Sequence, residues 1–160
     1  MRMSDVQPIR FEDGRAMLFA GIRRKHSFAS MGKDIPRQWD DFVKLGKLPG
    51  QLGTTAYGAI CGGDTQKQTM EYMVAVEVKS FDVVPKELGR MRVPAARYAV
   101  FRHEGNVATI QETWKQIFSW LPKSGMQSNE TPDFEVYGEL FDGATGEGGV
   151  EIWLGVKQTK

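Results

Sequence analysis

Hydrophobic and polar positions along the chain change rhythm four times, and the second half repeats the order of the first. Met17 to Ile22 is a short apolar run of strand length. Ser30 to Phe42 follows, with Ile35, Trp39, Phe42 and Val43 at helical spacing. Pro36 is expected early in that helix, where its missing N–H does no harm. Gly46 and the Leu48-Pro49-Gly50 turn end it. Thr54 to Cys61 and Met70 to Val78 read as strands, and Gly62-Gly63-Asp64-Thr65 suits a tight reversal between them. Ala96 to His103 then reads as a strand, and Asn106 to Trp120 as a helix with Val107, Ile110, Trp114, Ile117 and Phe118 along one stripe. Leu121-Pro122-Lys123-Ser124-Gly125 stops it. Phe134 to Phe141 and Val150 to Lys157 form a last strand pair, joined by the glycine-rich stretch from Asp142 to Gly149.

Individual landmarks recur with this rhythm. Tyr57-Gly58 returns as Tyr137-Gly138, and Met70-Glu71-Tyr72-Met73-Val74-Ala75-Val76 as Val150-Glu151-Ile152-Trp153-Leu154-Gly155-Val156, both 80 positions later. Phe19 to Arg23 echoes Tyr98 to Arg102 at a step of 79, and Trp39 echoes Trp114 at 75. Such a period is longer than that of a solenoid and points to a duplicated supersecondary module. The expected fold is α+β, a single domain over 1–160. Two pseudo-symmetric βαββ modules, about 15–80 and 95–158 with a linker at about 81–94, form a curved, mainly antiparallel sheet with two helices on one face. Two such modules are expected to create a central cleft, and the residues that differ between copies are candidates for its chemistry.

Composition narrows the function classes. With 160 residues, 41% of them apolar, the chain can build a core, and its net charge of +1 lacks the footprint of a nucleic-acid binder. The basic run Arg23-Arg24-Lys25-His26 reads as a solvated loop or strand end. The single cysteine, Cys61, excludes an internal disulfide and cysteine-rich zinc sites, and reads as a small buried residue. His26 and His103 lack ligand spacing, so neither a metal nor a cofactor is expected. Met1 to Asp5 leads into Pro8 without an apolar leader segment, and no long apolar run follows. The expected location is the cytoplasm, away from membranes.

The last strand alternates: Val150, Ile152, Leu154 and Val156 point one way, Glu151, Trp153 and Gly155 the other. Glu151 and Trp153 therefore share a face, and Tyr137 with Glu135 is placed on the corresponding face of the neighbouring strand. The first module offers Tyr57, Glu71 and Met73 at matching places. A carboxylate beside aromatic rings suits an organic cation, each ring adding about 0.5–2 kcal/mol. The alternative is a polar face turned to water, with Glu151 simply solvated. Trp39 and Trp114 sit on apolar helix stripes and read as core. Trp120 either fills the core or caps a pocket mouth. Glu135 and Glu139 read as a solvated face, and His103-Glu104 as a surface pair at a strand end. No glycine-rich phosphate loop, metal-ligand cluster or nucleophile elbow is present in the sequence.

Four segments carry a family resemblance. Pro94-Ala95-Ala96-Arg97-Tyr98-Ala99-Val100-Phe101-Arg102-His103-Glu104-Gly105, Trp120 to Gly125, Pro132-Asp133-Phe134-Glu135-Val136-Tyr137 and Val150 to Val156 resemble the GyrI-like superfamily. That group includes the effector-binding domains of AraC- and MerR-type regulators and integron-associated stand-alone proteins. The likeness is most specific over Val93 to Val156 and looser in the first module. It implies a ligand cleft between sheet and helices that takes lipophilic, often cationic compounds against a buried glutamate and aromatic rings. By position it implies Glu151 as that acid, with Trp153, Tyr137 and Trp120 as wall residues. Many members have proline where this chain has Gly155.

Three functions are compatible with the resemblance. The first is a stand-alone domain that binds or senses a small molecule. It is expected to be monomeric, because internal pseudo-symmetry replaces a dimer partner. It is expected to contact no nucleic acid itself, since both modules consume the chain and leave DNA readout to a regulator partner. The second is hydrolysis of cyclopropane-type toxins, with Glu151 as general base and its pKa raised toward neutrality by desolvation. The third is gyrase inhibition through protein–protein contact, for which no patch stands out in the sequence.

Overall fold

A computed structural model describes residues 6–159, so the reading of Met1 to Asp5 lies outside the described residues. In chain order the elements are β1 (Arg10–Gly14), β2 (Met17–Ser27), α1 (Met31–Val43), β3 (Gln51–Asp64), β4 (Thr69–Val78), β5 (Gly89–Val93), β6 (Ala96–His103), α2 (Ile110–Trp120), β7 (Met126–Ser128), β8 (Asp133–Tyr137) and β9 (Val150–Gln158). They group into two units. The early unit is Ala16–Pro94; the late unit takes the chain up to Arg15 together with everything from Ala95 onward.

The early unit is an antiparallel sheet in the order β3-β4-β2-β5 with α1 packed on it. Its core gathers Ala20, Phe42, Leu48, Tyr72, Val74, Val76, Val78 and Val84, with Ile35 and Trp39 of the helix packed against them. The late unit repeats the plan as β1-β6-β9-β8, with β7 pairing the far end of β9. Trp114, Ile117 and Trp120 form the buried stripe of α2, and Trp120 meets Phe101 edge-on at 5.1 Å. Asn106 starts that helical segment by accepting the Ala108 N–H on its side chain, at 2.9 Å. Both units are thus antiparallel strands plus a helix, an α+β fold.

Strand register revises how the two units correspond. Glu71 lies opposite Lys25 and Glu151 opposite Arg102, so β2 maps onto β6 with a step of 77 rather than 79. Ile60 lies opposite Tyr72 and Glu135 opposite Ile152, so β3 maps onto β8 with a step of 75. The Tyr57-Gly58 and Tyr137-Gly138 echo, at 80, is therefore not a structural correspondence. Both steps are counted with β4 and β9 aligned at their own step of 80, which matches Glu71 to Glu151 and Tyr72 to Ile152.

Local expectations fail where short-range signals compete. Pro36 lies in the second turn of α1, not its first, so it cannot donate to the Gly32 carbonyl. Gly62, at φ +120°, serves a β-bulge inside β3 instead of a turn. The reversal comes later, at Thr65 to Gln68, where Asp64 Oδ1 accepts the Gln66 and Lys67 N–H groups at 3.0 and 3.1 Å. β8 stops at Tyr137 rather than Phe141, because Phe141 N–H turns back to the Gly138 carbonyl. The stretch expected as a linker contains β5, and β1 extends the late sheet. Both strands are five residues long and rich in charge, so neither shows in an apolar pattern.

Candidate functional site

The late unit builds its site from β8 and α2. Residues directly opposite in an antiparallel pair share a sheet face. Glu135 lies opposite Ile152, the fully buried centre of β9, so Glu135 and Tyr137 turn toward α2. There Trp114 Nε1 donates to Glu135 Oε2 at 2.8 Å, and Tyr137 Oη donates to Glu135 Oε1 at 2.6 Å. Glu135 is only 4% exposed. This corrects its reading as a solvated residue. A carboxylate this deep is stable only when its oxygens are hydrogen-bonded, and two aromatic donors hold it in one orientation. Around it, Phe141 packs edge-on to Tyr137 at 4.9 Å and Phe118 stacks on Trp114 at 5.6 Å. Trp120 belongs to this same face through Phe101. Trp114, read as plain core from the sequence, is both core and a hydrogen-bond donor to the acid.

Glu151 and Trp153 occupy the opposite face of β9. The candidate residues of the late unit are therefore split between two faces: Tyr137 and Trp120 with Glu135 on one, Glu151 and Trp153 on the other. Glu151 is held by Arg10 of β1, whose Nη1 and Nη2 reach Oε2 and Oε1 at 3.0 Å each. Trp153 Nε1 donates to Glu151 Oε1 at 3.1 Å. Burial alone would raise the Glu151 pKa. The bonds from Arg10 and Trp153, with the charges of Arg10 and Arg102, outweigh it and lower the pKa below the ordinary value. That is opposite to the raised pKa expected of a general base here. In the early unit, Glu71 pairs with Arg23 at 2.9 Å, and Tyr57 stacks on Phe19 at 4.6 Å.

Both histidines are structural, not superficial. His103 is 1% exposed; its Nε2 donates to the Asn106 carbonyl at 2.7 Å, and its Nδ1 lies 2.6 Å from Thr113 Oγ1. His26, in the run read as a solvated strand end, is 5% exposed and bonds Gln38 Oε1 at 2.6 Å. Gln38 Nε2 in turn donates to the carbonyls of Ile22 and Tyr72. Each histidine thus ties the end of a strand to its unit's helix. Burial raises the Cys61 thiol to about 11, against the pull of Arg23, so it stays protonated and is no nucleophile at neutral pH. Among the described residues, no group of three His, Cys, Asp or Glu side chains could hold a metal ion, and no helix is long and apolar enough to cross a membrane.

One further acid lies at the start of β8. Asp133 is desolvated enough that its carboxyl is pushed up to about 6, although the Gly155 N–H bonds its Oδ1 at 2.9 Å. A proline at 155 would have no N–H to give. Glycine also leaves room, since a Cβ at 155 would collide with Asn129 Oδ1 and Thr131 Oγ1.

The residues that sequence reading missed, Glu135 and Trp114, did leave a signal. Glu135 and Tyr137 are two apart on one strand, and Trp114 stands on the buried stripe of the helix. What fixes their meeting is the register of β8 against β9, which alternation within one strand does not contain.

Comparison with known proteins agrees with this architecture. Residues 7–157 match the model of the GyrI-like small molecule binding domain. The transcriptional regulator BrlR of Pseudomonas aeruginosa is 28% identical over 127 residues, which cover 78% of this chain. The chain spans just under half of BrlR, 47% of its length. SAV2435, solved bound to tetraphenylphosphonium, shares the fold at TM-score 0.70 and 19% identity, over 92% of this chain and 93% of its own. The integron cassette protein VCH_CASS2 of Vibrio cholerae does so at TM-score 0.68 and 17% identity, over 95% and 97%. With a family match over nearly its whole length, the chain belongs to the GyrI-like small molecule binding domains.

Proposed function

We propose that this domain binds lipophilic, cationic small molecules beside α2 and β8, with Glu135 as the acidic residue. The observation that carries this is a buried carboxylate gripped by two aromatic donors, Trp114 and Tyr137, and surrounded by rings. A carboxylate oriented in an apolar setting attracts a delocalised cation more strongly than it would in water, because the local dielectric is low. Aromatic walls add cation–π attraction, and lipophilic substituents gain by leaving water. SAV2435 was solved with tetraphenylphosphonium, a cation of this kind, which makes it the first probe to use. Tyr137 and Trp120 serve as wall residues in this reading. Glu151, in its ion pair with Arg10, takes no part in it. The domain itself acts as a monomer in the cytoplasm and makes no nucleic-acid contact of its own.

The test is a tryptophan-quenching titration with tetraphenylphosphonium. Saturable micromolar binding is expected, weakened at least about tenfold (about 1.4 kcal/mol) in Glu135→Gln. Equal affinity in a folded Glu135→Gln protein sinks the assignment. The hydrolytic alternative uses the same group: Tyr137 Oη, 2.6 Å from Glu135, is placed to exchange a proton with it. Turnover of a strained cyclic electrophile that disappears in Glu135→Gln while binding persists would decide for hydrolysis.

A further inference from the structure

We propose that the face of β9 turned away from α2 carries a second cation site, which the chain's own Arg10 fills, and that its external ligands are small planar cations of the guanidinium and amidinium class. The geometry is that of a ligand in a site. The two terminal guanidinium nitrogens of Arg10 meet both oxygens of Glu151 at 3.0 Å, the parallel fork that selects a planar cation over an ammonium. The Arg10 Cζ lies 5.7 Å from the centre of the Trp153 ring.

The receiving side is preorganised. Trp153 Nε1 bonds Glu151 Oε1 at 3.1 Å, which ties the carboxylate to the ring beside it. The ring itself stacks on Phe134 at 5.6 Å and leans on Tyr98 at 5.4 Å. Glu151 and Trp153 belong to one strand, paired on both sides within its unit by β6 and β8. Arg10 comes instead from β1, the outermost strand of the late sheet. Arg10 and Glu151 side chains are 39% and 26% exposed, so solvent reaches the pair and a competitor can approach it.

The early unit supplies a control. Its matching acid, Glu71, also carries a guanidinium, from Arg23 at 2.9 Å. By the 77-residue step Arg23 corresponds to Val100, the residue directly opposite Arg10. Each unit therefore brings an arginine to the same acid from a different strand. In the late unit the strand sets an aromatic ring, Trp153, two residues from the acid, where the early unit has the buried Met73. Neutralising the acid needs only the ion pair; a ring that cradles the cation fits recognition. Arg102, opposite Glu151, adds a positive charge, while Glu12, 2.7 Å from Arg10 Nε, adds a negative one. Ligand affinity is accordingly modest, in the millimolar range, and Arg10 competes as a tethered group at high effective concentration.

The experiment titrates benzamidinium chloride while following the Trp153 indole N–H by NMR, assigned through Trp153→Phe. Wild type is expected not to saturate by about 10 mM, and Arg10→Ala to bind at least about tenfold tighter. Adding Glu151→Gln to Arg10→Ala should abolish the response, and adding Glu135→Gln should leave it unchanged. The last variant keeps this site separable from the one proposed beside α2. Arg10→Met, which retains an apolar stem, repeats the measurement if Arg10→Ala lowers the unfolding midpoint. Binding to both Arg10 variants no tighter than to wild type would overturn the proposal. So would a response that survives Glu151→Gln.

Discussion

Each unit carries a tryptophan on its helix, Trp39 on α1 and Trp114 on α2, and gives its indole N–H a different partner. Trp114 donates to the Glu135 carboxylate at 2.8 Å, Trp39 to the Tyr72 hydroxyl at 3.2 Å. Below them the strand pairs differ by an exchange: Glu135 opposite Ile152 in the late unit, Ile60 opposite Tyr72 in the early one. The polar group has changed both its strand and its chemistry. A phenol under a helix is satisfied by a neutral hydrogen bond. A carboxyl group there takes two donors, the Trp114 indole and the Tyr137 hydroxyl, and is the group to which the proposed cation site is assigned. One copy of the module thus serves packing, and the other carries the acid.

The largest effect should come from the glycine that supports this acid's strand. Ala75 stands where the late unit has Gly155, so the early unit tolerates a Cβ that the late one excludes. Gly155→Pro is expected to cost about 2–4 kcal/mol in chemical denaturation, from the collision with Asn129 and Thr131 and loss of the N–H bond to Asp133. Ala75→Gly should cost about 1 kcal/mol or less. Equal losses would break the asymmetry between the units.

Asp133 offers a test of opposite sign. Its folded pKa is raised from 3.8 to about 6 by burial, so the folded state favours the protonated carboxyl. That contribution is fully present below pH 3.8 and is lost as pH rises through about 6. Asp133→Asn, which keeps an oxygen for the Gly155 N–H, should therefore be more stable than wild type at pH 7, by about 1–3 kcal/mol. The difference should vanish near pH 4. A pH-independent difference would refute desolvation as the cause. The early unit has Gly58 at this place and no such dependence to remove.

The indole comparison is smaller. Trp114→Phe leaves a buried carboxylate short of a donor and should cost about 2 kcal/mol, whereas Trp39→Phe leaves a hydroxyl short and should cost about 1 kcal/mol. Smallest of all, Arg10→Ala and Arg23→Ala should each cost less than about 1 kcal/mol, since both ion pairs are partly solvated. A loss of several kcal/mol from either would mean that the pair braces the sheet.

Much of this fold is legible in the sequence. The two apolar helix stripes and the alternation of Val150 to Val156 each reflect one element's own periodicity, and the long-period repeat shows the order of elements in the two units. What is not legible is how elements slide against each other. Tyr57-Gly58 and Tyr137-Gly138 look equivalent, yet strand pairing sets them in different places. Glu151 and Glu135 read as sharing one sheet face, yet they occupy opposite faces, because register decides which faces of β8 and β9 coincide. His26 and His103 look superficial because the partners that bury them, Gln38 and Thr113, lie on helices more than nine residues away.

The most direct test of the central claim is tetraphenylphosphonium affinity measured side by side in wild type, Glu135→Gln and Glu151→Gln. At least about a tenfold loss in Glu135→Gln and little change in Glu151→Gln are expected. Loss in Glu151→Gln with wild-type affinity in Glu135→Gln would contradict that claim, and would return the acid to the face that Arg10 covers.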